Sequence, residues 1–486
     1  MQIGNYFQNI NSKYKYHFFS SLTCSSLNCK KNSIFFAIKG NKIDGNKYIK
    51  EAIKKGARTI VSEKKIQGLI KSVLYINSKN VRKTLSETSY KFYKNIPKNL
   101  IAVTGTNGKS SIADFYFQIL KLNKKRVASI GTLGIKTIKN KKFIPNTTLD
   151  PIKLGKELSR LKNLRIENII LEASSHGLKQ NRLDGLKFNV GIFSNLSHDH
   201  LDYHKNIKDY FNSKLYLFNK LLKKNSLLIT DNEIPEYKKI KSIALQKKLD
   251  IKTISNKESD LCIVSHKYIR EKQKINIKYK NKIYNFTLNL IGKIQIKNLL
   301  MSAIAANKSG IEFKKIIDKM DKIKPINGRL EKIGKIKNKS LVILDFAHTP
   351  DALETCLQNL KEQFKDKKIS IVFGCGGERD KSKRPKMGQI ANYYCDKIYL
   401  TDDNPRGESP KKIRLDIKIK INKAKLFEIP DREKAIKEAI YTLKTGEILV
   451  VAGKGHENTQ NYRNFSRFFS DKNFIIKNIK EKNKSL

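Results

Sequence analysis

Val103-Thr104-Gly105-Thr106-Asn107-Gly108-Lys109-Ser110-Ser111 sets two glycines, a lysine and two serines between an apolar strand and the helical run Ile112–Leu120. Glycines let backbone N–H groups approach phosphate oxygens, and a helix N-terminus favours the anion. A lysine at this position reaches the terminal phosphates, and the Ser110 hydroxyl can ligate magnesium. The spacing departs from the general phosphate-binding loop, because Val103 stands where that motif carries its first glycine. ATP is the expected ligand and Mg2+ its companion ion, with Gly105, Thr106, Asn107, Gly108, Lys109, Ser110 and Ser111 as contacts. Further along, Glu172 ends the strand-like run Asn168–Leu171, and NLSHDHLDYH gathers Asp199, His200, Asp202 and His204. Magnesium needs few protein ligands when phosphates supply the rest. On residue type alone, Glu172 reads equally well as a helix cap.

Positioning such groups takes a scaffold, and the chain has a regular one. Seven polar motifs each follow an apolar run: VTGTNGKSS, LEASSHG, FSNLSHDH, DFAHTP, FGCGGERD, TDDNPRGE and VAGKGHE. In doubly wound sheets ligands bind outside the carboxyl ends of the strands, so seven such loops imply two active faces turned toward one cleft. The expected fold class is α/β in three domains, as a length of 486 residues suggests. A small N-terminal α/β domain covers 1–97, with strands at Ser33–Ile38 and Thr59–Ser62 and helices at Tyr48–Lys55 and Val81–Tyr93. A central P-loop-like, mainly parallel sheet domain covers 98–326, with an excursion at its edge over 225–290. A C-terminal Rossmann-like α/β domain covers 327–486, with strands at Leu341–Leu344, Ile369–Phe373, Lys397–Leu400 and Ile448–Ala452. The final KNIKEKNKSL reads as a frayed tail.

A formal net charge of +56 invites a nucleic-acid reading. A P-loop ATPase driven by DNA or RNA is the competing class it would motivate, but such proteins gather their charge in a patch. Here 85 of the 100 basic residues are lysines spread along the chain among asparagines and isoleucines, so no specific nucleic-acid partner is expected. Against that background rare residues carry information. Six of the eight histidines fall in the segments above or beside them, as do Arg182, Arg329, Arg379, Arg384 and Arg406. Arginine offers a rigid bidentate fork that lysine lacks. No apolar run approaches the roughly 20 residues that span a bilayer, the N-terminus lacks a leader pattern, and the six cysteines have no metal-ligand spacing. The expectation is a cytoplasmic, monomeric enzyme with reduced thiols and no membrane insertion.

The spelling TGTNGKS, rather than the general motif, resembles the nucleotide loop of the Mur ligases of peptidoglycan synthesis and of the related folylpolyglutamate synthetases. The resemblance continues over nearly the whole chain. It implies an ATP-dependent ligase that activates a carboxylate as an acyl phosphate and couples it to an amine, with Lys109, Glu172, His200 and Lys214 as the catalytic set. Glu172 with Ser110 would hold one magnesium and His200 would serve the second. Lys214, in YFNSKLYLF, matches a lysine that the family carbamylates with carbon dioxide to support that second ion. Asn298 would read the adenine base, and Arg329 and Asp345 would complete the nucleotide site from the interdomain side. Asn146, Thr147 and Thr148, in NTTLD, with Ser174, Gln180 and Arg182, match contacts to a UDP-muramoyl dipeptide. Ser26 and the loop Asn41, Lys42 and Ile43 would serve its uridine diphosphate end, although the usual Asp and Arg beside Ser26 are here Ser25 and Leu27. Asp403, Asn404, Pro405 and Arg406 resemble the motif of members that add meso-diaminopimelate, whose distal carboxylate suits a bidentate arginine. Arg379, Gly453 and Glu457 match its other contacts. A lysine-adding ligase and a folylpolyglutamate synthetase are the alternatives within the resemblance; DNPR argues against the first and the uridine-type N-terminal domain against the second.

Overall fold

The computed structural model describes residues 1–8, 10–40 and 43–485. Its apolar runs form strands buried on both faces, as sheets covered by helices on each side require. The central sheet is the largest. Its middle strands are parallel and run, in spatial order, Leu261–Ile269, Asp250–Ser255, Leu222–Asp231, Phe188–Phe193, Asn99–Thr104, Asn168–Glu172 and Val127–Gly131. On one face lie the phosphate-loop helix Lys109–Leu122 and the helix Lys293–Lys308, packed through Phe115, Leu120, Leu299 and Ala303. On the other face Leu154, Leu158 and Leu161 of the helix Pro151–Asn163 cover the sheet. The stretch 225–290 includes an antiparallel meander, Leu261–Ile269 with Lys272–Tyr279 and Lys282–Leu288, which closes one edge of the sheet.

The C-terminal sheet places Leu341–Asp345, Ile448–Ala452, Ile369–Phe373, Lys397–Leu400 and Lys425–Glu428 in parallel, with Glu331–Lys335 antiparallel at its edge. The N-terminal sheet orders Ser21–Thr23, Ser33–Phe36, Ala57–Ser62, Val73–Asn77 and Gly68–Ile70, the last of them antiparallel. Its helix Val81–Phe92 leans on the central unit, where the Ser86 hydroxyl donates to the Asn181 carbonyl at 2.5 Å and the Tyr90 hydroxyl to that of Arg182 at 2.6 Å.

Central and C-terminal units share more than a linker. Ile291, at the foot of the helix Lys293–Lys308, belongs to the C-terminal core with Leu330 and Leu357. The first amides of that helix lack a cap of their own and are served from the helix Pro350–Gln363. Gly292 N–H donates to Gln363 Oε1 at 2.9 Å and Ile294 N–H to Asn359 Oδ1 at 3.1 Å.

One expectation is overturned. The last residues are not a frayed tail but part of the helix Asp471–Ser485, whose Ile475 and Ile479 are buried against the sheet. Their i, i+4 spacing puts both on one face, a signal hidden by the lysines and asparagines around them. The Lys482 ammonium, itself buried, donates to the carbonyls of Ile440 at 2.8 Å, Tyr441 at 3.1 Å and Leu443 at 3.2 Å, satisfying the end of the helix Arg432–Tyr441. Truncation after Ser470 is therefore expected to destabilise the C-terminal unit. The two isoleucines alone contribute about 3–6 kcal/mol of burial. Thermal unfolding followed by circular dichroism checks this, and a truncated chain melting at the full-length temperature would show the helix to be dispensable.

Candidate active site

All seven motifs leave the carboxyl ends of their strands, and those of the central and C-terminal sheets face each other across one open cleft. The phosphate loop forms one wall. Thr106 N–H donates to the Asn195 carbonyl at 2.9 Å and Asn107 N–H to Asn195 Oδ1 at 2.9 Å, so the neighbouring FSNLSHDH loop braces it. Gly108 has φ +87°, and a β-carbon there would stand 2.7 Å from Asn298 Oδ1. Glycine is thus required twice, for its backbone and for the approach of Asn298. Lys109 Nζ folds back onto the Gly105 and Thr106 carbonyls at 2.9 and 2.6 Å. Burial lowers its pKa, opposed by Glu172 and Asp199.

Glu172 is the hub of the loop's far side. It is only 2% exposed. Its Oε1 accepts from Thr132 N–H at 2.8 Å, and its Oε2 accepts from the Ser110 hydroxyl and the Thr132 hydroxyl, each at 3.0 Å. The Thr147 hydroxyl meets that of Thr132 at 3.0 Å, Thr148 bonds Ser174, and Arg182 Nη1 donates to the Thr148 carbonyl at 2.5 Å. Gln180 Oε1 accepts from the same guanidinium. Thr147 and Ser174 line the cleft, whereas Thr148 is buried behind them.

His200 and Lys214 approach from the third side. Burial pushes the His200 imidazole down to about 3 despite Asp199, whose carboxylate lies 3.4 Å from Nε2; the ring is neutral at pH 7 and keeps a lone pair for an electrophile. Lys214 is 1% exposed, donates to the Gly105 carbonyl at 2.6 Å and lies 4.0 Å from the centre of the Tyr210 ring. Burial, then Lys109, pushes its pKa well down. Among the described residues no cluster of His, Cys, Asp and Glu could hold a metal by itself. A magnesium ion completed by phosphates and water needs one or two hard oxygens, and the Ser110–Glu172 pair offers that donor set.

The C-terminal wall adds Arg329, whose guanidinium stacks 4.2 Å from the Phe346 ring, and Asp345, which accepts from Leu330 N–H at 2.6 Å and Ala347 N–H at 2.8 Å. The cleft runs on into a pocket lined by Arg379, Asp403, Asn404, Arg406, Gly453 and Glu457 together with His198, Asp199, His200 and Asp202. Pro405 is buried in the same loop, and its carbonyl packs under Gly377. Asn404 donates to Glu457 Oε2 at 3.0 Å and accepts from Lys454 Nζ at 3.2 Å. Arg406 holds a left-handed backbone, φ 50°, at a cost of roughly 1–3 kcal/mol. Its N–H is pinned to the Asn461 carbonyl and its Nη1 donates to the Gly377 carbonyl at 2.7 Å. Arg379 meets Asp202 across the cleft at 3.7 Å.

Not every singled-out residue arrives here. Arg384 is fully buried, paired with Glu408 at 2.9 Å and Asp416 at 2.9 Å, and braces the C-terminal unit instead. Ser26 is buried and donates to Glu51 Oε2 at 3.0 Å, while Leu27 beside it is exposed. Ile43 is exposed, Asn146 lies on the surface near Thr147, and Asn41 and Lys42 fall outside the described residues. Conversely, Thr132 lines the cleft and holds Glu172, yet sequence reasoning missed it. Its signal was available, since GTLG also follows an apolar strand, Val127–Gly131.

Three family models match in order: "Mur ligase family, catalytic domain" over 18–99, "Mur ligase middle domain" over 103–306 and "Mur ligase, glutamate ligase domain" over 328–455. A Rickettsia montanensis protein named UDP-N-acetylmuramoyl-L-alanyl-D-glutamate–2,6-diaminopimelate ligase is 40% identical over 477 residues, covering 97% of this chain and 98% of its own. The protein of that name from Rickettsia rickettsii is 41% identical with the same coverage. A solved structure of a UDP-N-acetylmuramoyl-L-alanyl-D-glutamate–2,6-diaminopimelate ligase superposes with a TM-score of 0.73 at 29% identity, covering 99% of each chain. With a phosphate loop, a buried carboxylate hub and a second set of strand-end loops closing one cleft, and with these matches along its length, the chain belongs to the Mur ligase family.

Proposed function

We propose that this chain is the ATP-dependent ligase that joins meso-2,6-diaminopimelate to UDP-N-acetylmuramoyl-L-alanyl-D-glutamate in peptidoglycan precursor synthesis. The observation that carries it is the pocket of Arg379, Asp403, Asn404, Arg406, Gly453 and Glu457, which opens directly onto the Lys109–Glu172 wall. It offers guanidinium groups for carboxylates and carboxylates for ammonium groups, and diaminopimelate carries two of each. A lysine-adding member has no distal carboxylate for Arg406 to hold.

The chemistry runs in two displacements. An oxygen of the D-glutamate side-chain carboxylate attacks the γ-phosphorus of ATP, the bond to the bridging oxygen breaks, and ADP leaves with its electron pair. The neutral amine nitrogen of diaminopimelate then attacks the acyl carbon, the carbon–oxygen bond to phosphate breaks with its electron pair on oxygen, and the nitrogen's extra proton ends on the departing phosphate as the amide forms. Lys109 and Arg329 supply the protein's positive charge along the phosphates, as expected for a reaction governed by positioning and charge. Ser110 and Glu172 would hold one magnesium ion, and His200 with a carbamylated Lys214 would support a second; when bound, such ions would neutralise charge on the phosphate oxygens. Asn298 faces the base, and Thr147, Ser174, Gln180 and Arg182 grip the dipeptide end, with Thr148 bracing Ser174 and Arg182 from behind and Asn146 at their margin. Ser26 and the loop 41–43 serve the uridine diphosphate end. The units 1–97, 98–326 and 327–486 then act as uridine-substrate, ATP and amino-acid domains. Among the described residues no helix is long and apolar enough to cross a membrane. On this reading the enzyme is cytoplasmic and monomeric and meets small-molecule substrates.

Phosphate release from ATP with the muramoyl dipeptide, adding diaminopimelate or L-lysine separately, tests this reading. Turnover with diaminopimelate is expected, and Arg406→Ala should lower its kcat/KM about 100-fold, the loss of one bidentate charged contact. Equal turnover with lysine would overturn the amine assignment. Turnover only with added nucleic acid would overturn the ligase reading itself.

A further inference from the structure

Behind the amino-acid pocket lies an ion pair that the reaction above does not use. Arg432 and Asp471 are both 0% exposed. Arg432 Nε donates to Asp471 Oδ1 and its Nη2 to Asp471 Oδ2, each at 2.8 Å, and Nη2 also reaches the Ala452 carbonyl at 2.9 Å. Ala452 is the last residue of the strand Ile448–Ala452, and the loop carrying Gly453 and Glu457 leaves from it. Gly453 has φ +108°, and a β-carbon there would lie 2.8 Å from Asp403 Oδ2. That oxygen is buried and has no hydrogen-bond partner in the protein; neither has Arg432 Nη1. Both Asp403 and Glu457 stand within Coulombic reach of Arg432.

Two carboxylates on the pocket wall thus share a buried cation behind them, and that cation is oriented by the first residue of the C-terminal helix Asp471–Ser485. A plain structural ion pair would leave no unsatisfied oxygen beside it, because an unpaired buried carboxylate oxygen costs free energy unless something else meets it. The diamino acid's ammonium groups are the available donors on the pocket side. We infer that Arg432, oriented by Asp471, is a positioning residue for the amine substrate: it sets Gly453 and Glu457 through Ala452 and leaves Asp403 Oδ2 free to receive an ammonium group. The C-terminal helix thereby becomes part of the selectivity for the incoming amino acid. This rests on the diaminopimelate reading above.

Removing one member of a buried pair leaves an uncompensated charge, whereas replacing both by apolar groups is often tolerated. Arg432→Met/Asp471→Leu is therefore the main variant, and Asp471→Asn, which keeps the shape and one acceptor, the second. For the double variant the expected result is a KM for diaminopimelate raised about tenfold or more, with KM for ATP and for the muramoyl dipeptide unchanged. The preference for diaminopimelate over L-lysine in kcat/KM should fall by a similar factor, and Asp471→Asn should move both quantities in the same direction by less. A folded variant of either kind with the wild-type amine KM and preference overturns the inference. Hydrogen exchange on the wild-type protein needs no variant. Saturating diaminopimelate should protect residues 403–406, 453–457 and 471–478 together, and protection of the loops without the helix also overturns it. Failure of the wild-type protein to use diaminopimelate at all would instead refute the functional reading.

Discussion

Glu172→Gln is expected to lower kcat by about three orders of magnitude at ordinary magnesium concentrations while leaving the melting temperature nearly unchanged. The substitution keeps the shape of a side chain that is almost wholly buried and packed beside the phosphate loop. What it removes is charge and one of two acceptor oxygens. In the wild type Oε1 takes Thr132 N–H, and Oε2 takes the Ser110 and Thr132 hydroxyls. A glutamine turns one end into a donor, which can still accommodate a rotated hydroxyl but offers a cation a single neutral oxygen. The loss should therefore fall on the metal-dependent step, with KM for the muramoyl dipeptide little changed and activity partly restored by raising magnesium. Steady-state rates measured across a magnesium titration decide it. Activity within tenfold of wild type, insensitive to added magnesium, would remove Glu172 from the chemistry and leave it as a buried acceptor for Ser110 and Thr132.

The alternation of apolar strand and polar loop made the scaffold legible, because strand ends in a parallel sheet are where ligands are met whatever the chemistry. Each of the seven loops leaves the carboxyl end of a buried strand, and six of the eight histidines lie with them. What could not be read was depth. Lys214 is one of 85 lysines, and only the folded chain shows that its ammonium has left water while most others have not. Arg384 and Arg406 carry the same sequence signal, an arginine in a polar loop of a lysine-rich chain; burial against Glu408 and Asp416 makes the first a brace, and a strained backbone facing the pocket makes the second a candidate contact. Ser26 retains the expected hydroxyl, yet Glu51 already holds it. Edge strands such as Glu331–Lys335 and Lys425–Glu428 were missed because their exposed faces dilute the apolar pattern. The tail was misread for a related reason: two isoleucines among lysines carry enough burial to anchor a helix only when a sheet face waits for them.

That depth also bears on the +56 charge. Lysines in solvent add field but little specificity, whereas a few cations withdrawn from water act on particular atoms. Lys214 and Arg432 are buried and Lys109 and Arg329 half-buried, and all four surround the cleft or the wall behind it. The abundant charge is background; the buried charge is organised.

Lys214→Ala is expected to reduce kcat by about a thousandfold, and the reason lies in the state of the amine. Its ammonium group has no carboxylate within ion-pair distance among the described residues, donates to the Gly105 carbonyl and sits close to the cation of Lys109. Burial and that neighbour both favour the neutral amine, which is the form that attacks carbon dioxide. The nitrogen lone pair forms the new N–C bond, one C=O π pair moves onto oxygen, and a proton leaves the nitrogen, so a cationic side chain becomes a carbamate anion. Wild-type protein depleted of carbon dioxide should lose activity and recover it with bicarbonate, and carbon-13 bicarbonate should yield a carbamate resonance that Lys214→Ala lacks. Stability should move the other way. Because the folded state lowers the Lys214 pKa, the unfolded chain binds more protons between that lowered value and the ordinary lysine value, and this residue's contribution falls as pH drops through the interval. Without bicarbonate, Lys214→Met should therefore melt above wild type, by a margin that widens as pH falls through that interval. Full activity in carbon dioxide-free buffer together with a lower-melting Lys214→Met would show the amine to be a structural donor to Gly105 and nothing more.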